Sequence, residues 1–247
     1  MIPEGYQLVW EDNFDYEGKL REEDWTYNVG ERWANNEQQA YTDRLTNVYV
    51  KDGALHLVSL KEKQGIRDYT SGRVTTAGKH SWQYGYFEIC AKLPTGRGSW
   101  PAIWMLPDSI GNGRHWPECG EIDIMEHIGR KEDKIWFSLH SDRHNHTRKD
   151  TKQYTVIRDY EKVCSEFHTY AIEWTEDAIE FFVDGESACI FRKSDDEEDR
   201  TQAAWPFDQP FHLILNIAVG GGLGGEIDVR ALPYHMEIKH VKIYQRL

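Results

Sequence analysis

The chain has 247 residues, a formal net charge of −13 and four cysteines, and it contains no run approaching the ~20 apolar residues of a membrane span. An acidic surface gains nothing from counterion release or headgroup attraction, which argues against a phosphate backbone or an anionic membrane as partner and leaves a neutral polymer compatible. Ten Trp and 13 Tyr exceed what one core requires, and surplus rings with an apolar body and a polar tip suit stacking on sugar faces.

Gln7-Leu8-Val9-Trp10 reads as a first strand running into the turn Glu11-Asp12-Asn13-Phe14, and Glu22-Glu23-Asp24-Trp25 as one helical turn. Ala34 to Thr42 is polar and without period, a loop whose amides suit sugar hydroxyls. Asn47–Val50 and Ala54–Leu60 are strands joined through the Asp52-Gly53 turn, and Ser71–Thr76 begins another. From Ser81 to Leu93 the chain alternates, with Trp82, Tyr84, Tyr86 and Glu88 on one face and Phe87, Ile89, Ala91 and Leu93 on the other, the aliphatic side facing the core. Trp100 and Trp104, four apart in a strand, share a face opposite Ile103 and Met105. Both indoles are thus placed to stack on successive sugars, and Trp116, in the loop before the next strand, is placed similarly.

That next strand, Gly120 to Ile128, interleaves three carboxylates with apolar residues. Glu121 and Asp123 share a face, whereas strict alternation sends Glu126 to the other. A β-bulge near Ile124-Met125 adds one residue, returns Glu126 to the face of Glu121, and leaves both Ile124 and Met125 to the core. Four effective steps set the two glutamate backbones roughly 13 Å apart, and side chains leaning inward by ~3–4 Å each bring the carboxyls near the ~5–5.5 Å of a retaining glycosidase, short of the ~6.5–9.5 Å of an inverting one. Asp123 between them supplies a charge that keeps one glutamate protonated while the other stays ionised.

Downstream, Ile135, Phe137 and Leu139 point inward while Trp136, Ser138 and His140 point outward. Asp142, His144 and His146 lie in a Ser/Asp/Asn-rich loop, where a solvated turn is favoured over a metal site. His168 to Phe182 forms two strands around the Thr175-Glu176-Asp177 turn, and Asp184-Gly185 turns into a third. The acidic run Asp195–Asp199 reads as a solvated loop tip. Phe211–Val219 is a long apolar strand before the glycine loop 220–225, and Met236–Tyr244 closes the sheet. Cys90, Cys119, Cys164 and Cys189 show no C-x-x-C spacing and are expected as mostly free, buried thiols. Many short strands with turn signals and no repeat give an all-β sandwich.

Glu121-Ile122-Asp123-Ile124-Met125-Glu126, with Trp100-Pro101-Ala102-Ile103-Trp104 upstream, resembles glycoside hydrolase family 16, in its laminarinase-like branch of endo-β-1,3- and β-1,3(1,4)-glucanases. The resemblance spans about Leu8 to Tyr244. It implies a jelly roll of two antiparallel sheets with a concave substrate cleft, one catalytic domain over residues 1–247, and a monomer acting on a neutral β-glucan. It further implies Glu121 as nucleophile, Asp123 as its assistant and Glu126 as acid/base. By the same resemblance Asn35 and Glu37 border the glycone side, Arg73 is a cleft arginine, His140 tunes or orients Glu126, and Trp205 contributes a platform. Leu223 stands where relatives carry an aromatic residue, which removes one stacking contact. Lys239 stands where many relatives have a calcium-ligating aspartate; an ammonium group cannot ligate a cation, so neither calcium nor a catalytic metal is expected. Met1-Ile2-Pro3-Glu4 is not a signal peptide, and the implied location is extracellular, periplasmic or at the cell surface, the export signal being absent from this sequence. A lectin-like glucan binder and a family member acting on galactans, by hydrolysis or transglycosylation, are the alternatives. Loop length and cleft shape, not motifs, separate β-1,3 from mixed-linkage glucans.

Overall fold

Alternating apolar and polar residues, punctuated by glycine turns, fold into 17 strands in a computed structural model that describes residues 2–150, 152–195 and 200–246. Most of the acidic run, residues 196–199, lies outside the described residues, as does Met1. One sheet has the order β15 (Glu186–Arg192), β14 (Ala178–Val183), β13 (His168–Trp174), β8 (Gly85–Lys92), β17 (Tyr234–Arg246), β5 (Ala54–Ser59) and β4 (Val48–Lys51), with β1 (Tyr6–Asp12) also on β17. The second runs β12 (Tyr154–Asp159), β11 (Lys134–His140), β10 (Glu121–His127), β9 (Ser99–Pro107), β16 (Phe211–Val219), β7 (Arg73–Thr75) and β2 (Thr26–Tyr27). Both are antiparallel, as the jelly-roll expectation requires. A parallel pair, β3 (Gln39–Tyr41) with β6 (Tyr69–Ser71), lies apart from them.

The two sheets share one core. Ile103, Met105, Ile122, Phe137 and Leu215 from the second sheet belong to one buried cluster with Phe87, Ile89, Ile172, Phe181 and Val241 from the first. Each such side chain contributes about 1.5–3 kcal/mol relative to exposure. Because strand residues alternate, this burial commits the other half of β7, β16, β9, β10 and β11 to the outer face of the second sheet. The functional side chains come from that face.

Two expectations change and one, the single helical turn at Glu22–Trp25, holds. Gln39–Tyr41, read as loop, pairs with Tyr69–Ser71, a distant segment that local polarity does not announce. Glu22 to Trp25 is a single turn closed by Trp25 N–H donating to Arg21 O at 2.9 Å. The alternation written from Trp82 breaks at Tyr84 (φ 64°) and Gly85 (φ 139°), so Trp82 loses phase with Tyr86, pairs with Phe211 and sets its ring edge-on to Phe87 in the main core. Gly85 is required at this break: a Cβ there would meet Tyr244 O at 2.6 Å. All four cysteines are free thiols, Cys119 buried and the others partly so.

Candidate active site

The bulge on β10 is present. Asp123 pairs with Trp104 and Met125 with Ile103, so Ile124 is the extra residue against β9; the pairing with β11 shifts over the same stretch, from Asp123–Ser138 to Glu126–Trp136. Ile122, Ile124 and Met125 are fully buried in the core, while Glu121, Asp123 and Glu126 line one cavity of about 380 Å³ on the opposite face. Two adjacent apolar residues side by side are what a bulge in a half-buried strand demands.

Around this row the ladder adds neighbours in register. Glu121 lies opposite His140, whose Nε2 sits 3.1 Å from Asp123 Oδ2 and 4.0 Å from Glu121 Oε1. The imidazole therefore contacts the Glu121 end directly and does not orient Glu126, which it tunes only through its charge. Glu126 instead accepts a 2.9 Å hydrogen bond from Trp100 Nε1. Burial pushes the carboxyls of Glu121 and Asp123 well above the usual carboxylate range, with the charge of Asp123 adding for Glu121 and that of Glu126 adding for Asp123. Burial raises Glu126 too, against the Trp100 hydrogen bond and the nearby imidazole. Three neighbouring carboxyls in a low-dielectric site do not all ionise near neutrality. The side-chain contact with Asp123 raises Glu121 further, and a carboxyl raised as Glu126 is has the character of a proton donor.

The walls are aromatic. Trp100, Trp104 and Trp116 all line the cavity, as their spacing and position suggested, together with Asn35, Glu37 and Arg73. Arg73 lies between two indoles, its guanidinium 4.9 Å from the ring of Trp33 and 4.9 Å from that of Trp104. Glu37 is buried and receives hydrogen bonds from Gln39 Nε2 and Tyr41 OH, so it is tied to the protein more than the polar loop implied. Asn35 adopts φ 57° and its carbonyl accepts from Gly222 N–H at 2.9 Å, docking the 34–38 loop on the glycine loop. Trp205 is not brought to the cleft: it is 2% exposed and packs edge-on to Phe207 in the main core, because its Trp-Pro-Phe segment turns inward.

Trp33 and Asn216 line the cavity and escaped the sequence reading, and His146, weighed there only as a metal ligand, lines it too. His146 stacks near Trp116, ring centroids 5.1 Å apart, and burial lowers its pKa. Asp142, His144 and His146 do not converge: His144 Nδ1 faces Lys152 O and its ring stacks on Tyr154. Among the described residues the group whose potential ligand atoms gather within 4.8 Å is Glu121, Asp123 and His140, which is the carboxylate row itself.

An open aromatic cavity crossed by two glutamates on one strand, with a third carboxyl between them, defines a glycoside hydrolase. Residues 32–235 match the glycosyl hydrolases family 16. The chain is 46% identical to a beta-glucanase of Rhodothermus marinus over 97% of this chain and 85% of that protein. Its fold is similar to the laminarinase of Rhodothermus marinus, with a TM-score of 0.92 and 42% identity over 98% of each chain. It is similar also to a substituted form of SCLam, a non-specific endo-beta-1,3(4)-glucanase holding 1,3-beta-D-cellobiosyl-glucose at its active site, at a TM-score of 0.92 and 38% identity over 99% of this chain and 96% of that one. The chain belongs to glycosyl hydrolases family 16.

Proposed function

We propose that this family 16 hydrolase is an endo-acting, retaining β-glucanase that cleaves β-1,3 or mixed-linkage β-1,3-1,4-glucans, with Glu121 as nucleophile, Glu126 as acid/base and Asp123 as the assistant to Glu121. The bulge at Ile124 carries the reading, because it sets both glutamates on one face of one strand over one cavity. Glu121 attacks the anomeric carbon as the glycosidic C–O bond breaks and Glu126 gives its proton to the departing oxygen. Glu126, now a carboxylate, takes a proton from water, whose oxygen displaces Glu121 and restores both groups. Asp123 accepts the proton held against Glu121, freeing that carboxylate to attack. The Arg73–Trp104 wall and Trp100 supply flat apolar faces for consecutive sugars.

A neutral β-glucan is compatible with a chain of net charge −13, and a polysaccharide substrate supports the reading of an enzyme that acts outside the cytoplasm as a monomeric single domain. No helix among the described residues is long and apolar enough to cross a membrane. Calcium is not part of this reading, because the ammonium group of Lys239, whose Nζ lies 4.1 Å over the Phe167 ring, cannot ligate a cation. Parallel product analysis on laminarin, barley β-glucan, carboxymethylcellulose and agarose tests the proposal. Oligosaccharides of intermediate length from the first two, with initial retention of the β-anomer, are expected. Cleavage of agarose alone moves the substrate to galactans, and binding of laminarin without release of reducing ends makes the protein a lectin.

A further inference from the structure

Asn216 sits on β16 at the outer face of the cleft sheet, opposite Arg73 on one side and Ala102 on the other. Although it lines the cavity, it is only 5% exposed, and both ends of its amide are taken by protein. Oδ1 accepts from Trp104 Nε1 at 2.7 Å, and Nδ2 donates to Tyr41 OH at 3.0 Å. Tyr41 in turn donates to Glu37 Oε2 at 3.2 Å, an oxygen that also accepts from Gln39 Nε2 at 2.7 Å.

Every link in this chain has a fixed direction. The indole nitrogen can only donate, so the amide must present its oxygen to Trp104 and its NH₂ to Tyr41. Tyr41, accepting from Asn216, spends its single proton on Glu37. A flipped amide would set N–H against N–H and leave two buried donors unmatched. The result ties the indole on the cleft floor to a buried carboxylate in the 34–42 loop.

The indole so held is the one beside the chemistry. Trp104 pairs with Asp123 across the ladder, and one face of its ring meets the Arg73 guanidinium. With the N–H edge fastened by Asn216, the plane of the ring is set before a sugar arrives, and ordering it on binding is avoided.

We propose that Asn216 is a positioning residue that fixes the plane of the Trp104 indole through the Tyr41–Glu37 chain, and so sets the register of the sugar next to the scissile bond. This rests on the β-glucanase reading above. Its signature is in substrate affinity, because the amide touches neither reacting atom, and it is read by coupling to the indole N–H.

The experiment compares Asn216→Leu, Trp104→Phe and the double variant for KM and kcat on laminarin and, each in a Glu121→Ala background that does not turn substrate over, for Kd of laminarihexaose by calorimetry, with melting temperatures in parallel. Trp104→Phe keeps an aromatic face and removes the N–H. Asn216→Leu is expected to raise KM and Kd about tenfold, the scale of one lost hydrogen bond together with its unpaired partner, and to lower kcat less than about threefold. The double variant should be no worse than the poorer single within about twofold, as residues acting through one bond are non-additive. Tyr41→Phe removes one hydroxyl from the chain and should raise KM by about threefold, which keeps the test open where Asn216→Leu does not fold. Effects of Asn216→Leu and Trp104→Phe that multiply independently overturn the proposal, as does a lower melting temperature with KM and Kd unchanged. Should the parent bind laminarihexaose without cleaving laminarin, the glucanase reading fails while the Kd series still decides the role of Asn216.

Discussion

Replacing Trp100 with Phe isolates one determinant of the acid. The ring persists, but the 2.9 Å hydrogen bond from Nε1 to Glu126 Oε1 is lost. That bond favours the ionised carboxylate and holds the Glu126 pKa down against burial, the larger effect. A hydrogen bond to a charged group is worth about 1.5–3 kcal/mol, so its removal lifts the Glu126 pKa further. On the proposed reading the acid works protonated, so the alkaline limb of kcat/KM, which reports its loss in the free enzyme, moves to higher pH. The acid limb, which on the same reading reports Glu121 with Asp123, moves less. The assay is a pH–rate profile of kcat/KM on soluble laminarin from pH 4 to 10, read for the position of the limbs and not the height of the plateau. An alkaline limb that stays in place or moves down refutes the assignment of Glu126 as the acid held by Trp100.

Glu126→Ala should regain turnover on an activated aryl β-glucoside when azide is added and give the β-azide; an α-azide would exchange the roles of Glu121 and Glu126. His127 is buried, its Nε2 3.0 Å from Glu132 O, and burial lowers its pKa to about 4. The unfolded chain binds that proton from pH 6.5 downward and the folded one does not, so stability is lost as pH falls from 6.5 to about 4, by about 3 kcal/mol in full. Urea midpoints at pH 7 and 4.5 should converge for His127→Gln relative to the parent, and an unchanged gap rejects the linkage. EDTA should leave the melting temperature unchanged, whereas a fall would show that Lys239 does not stand in for calcium. Gly129→Ala should unfold the β9–β10 end, because its Cβ would lie 2.0 Å from Gly96 O; a melting temperature within ~2 °C of the parent contradicts this, since even 1 kcal/mol shifts a domain of this size by about 2–4 °C.

The catalytic strand was legible because its pattern contains a contradiction. Three acidic residues and two consecutive apolar ones satisfy both faces of a sheet only with an inserted residue near Ile124-Met125, and the register with β9 assigns it to Ile124. Trp100 and Trp104 were legible for the simpler reason of period two. Trp205 was not, since an indole beside Pro206 and Phe207 carries the same signature whether it stacks on sugar or fills a core, and only the packing of Phe207 against Phe211 decides it. His140 was placed on the correct face and beside the wrong carboxylate, because ladder register is a property of two strands. The Glu37–Tyr41–Asn216–Trp104 chain joins residues up to 179 positions apart in sequence, from Glu37 to Asn216, and no local pattern announces such a link.

Because Glu121 and Glu126 share one short strand, laddered on both sides by β9 and β11, their spacing belongs to an interior element of the cleft sheet. The rim is built differently, from the 34–38 loop, the glycine turn and the segment after His140. Insertions and substitutions there can reshape which polymers enter, by lengthening or narrowing the trough, while the bond-breaking pair keeps its gauge. In such an architecture diversification of diet and preservation of reactivity fall to separate parts of the chain.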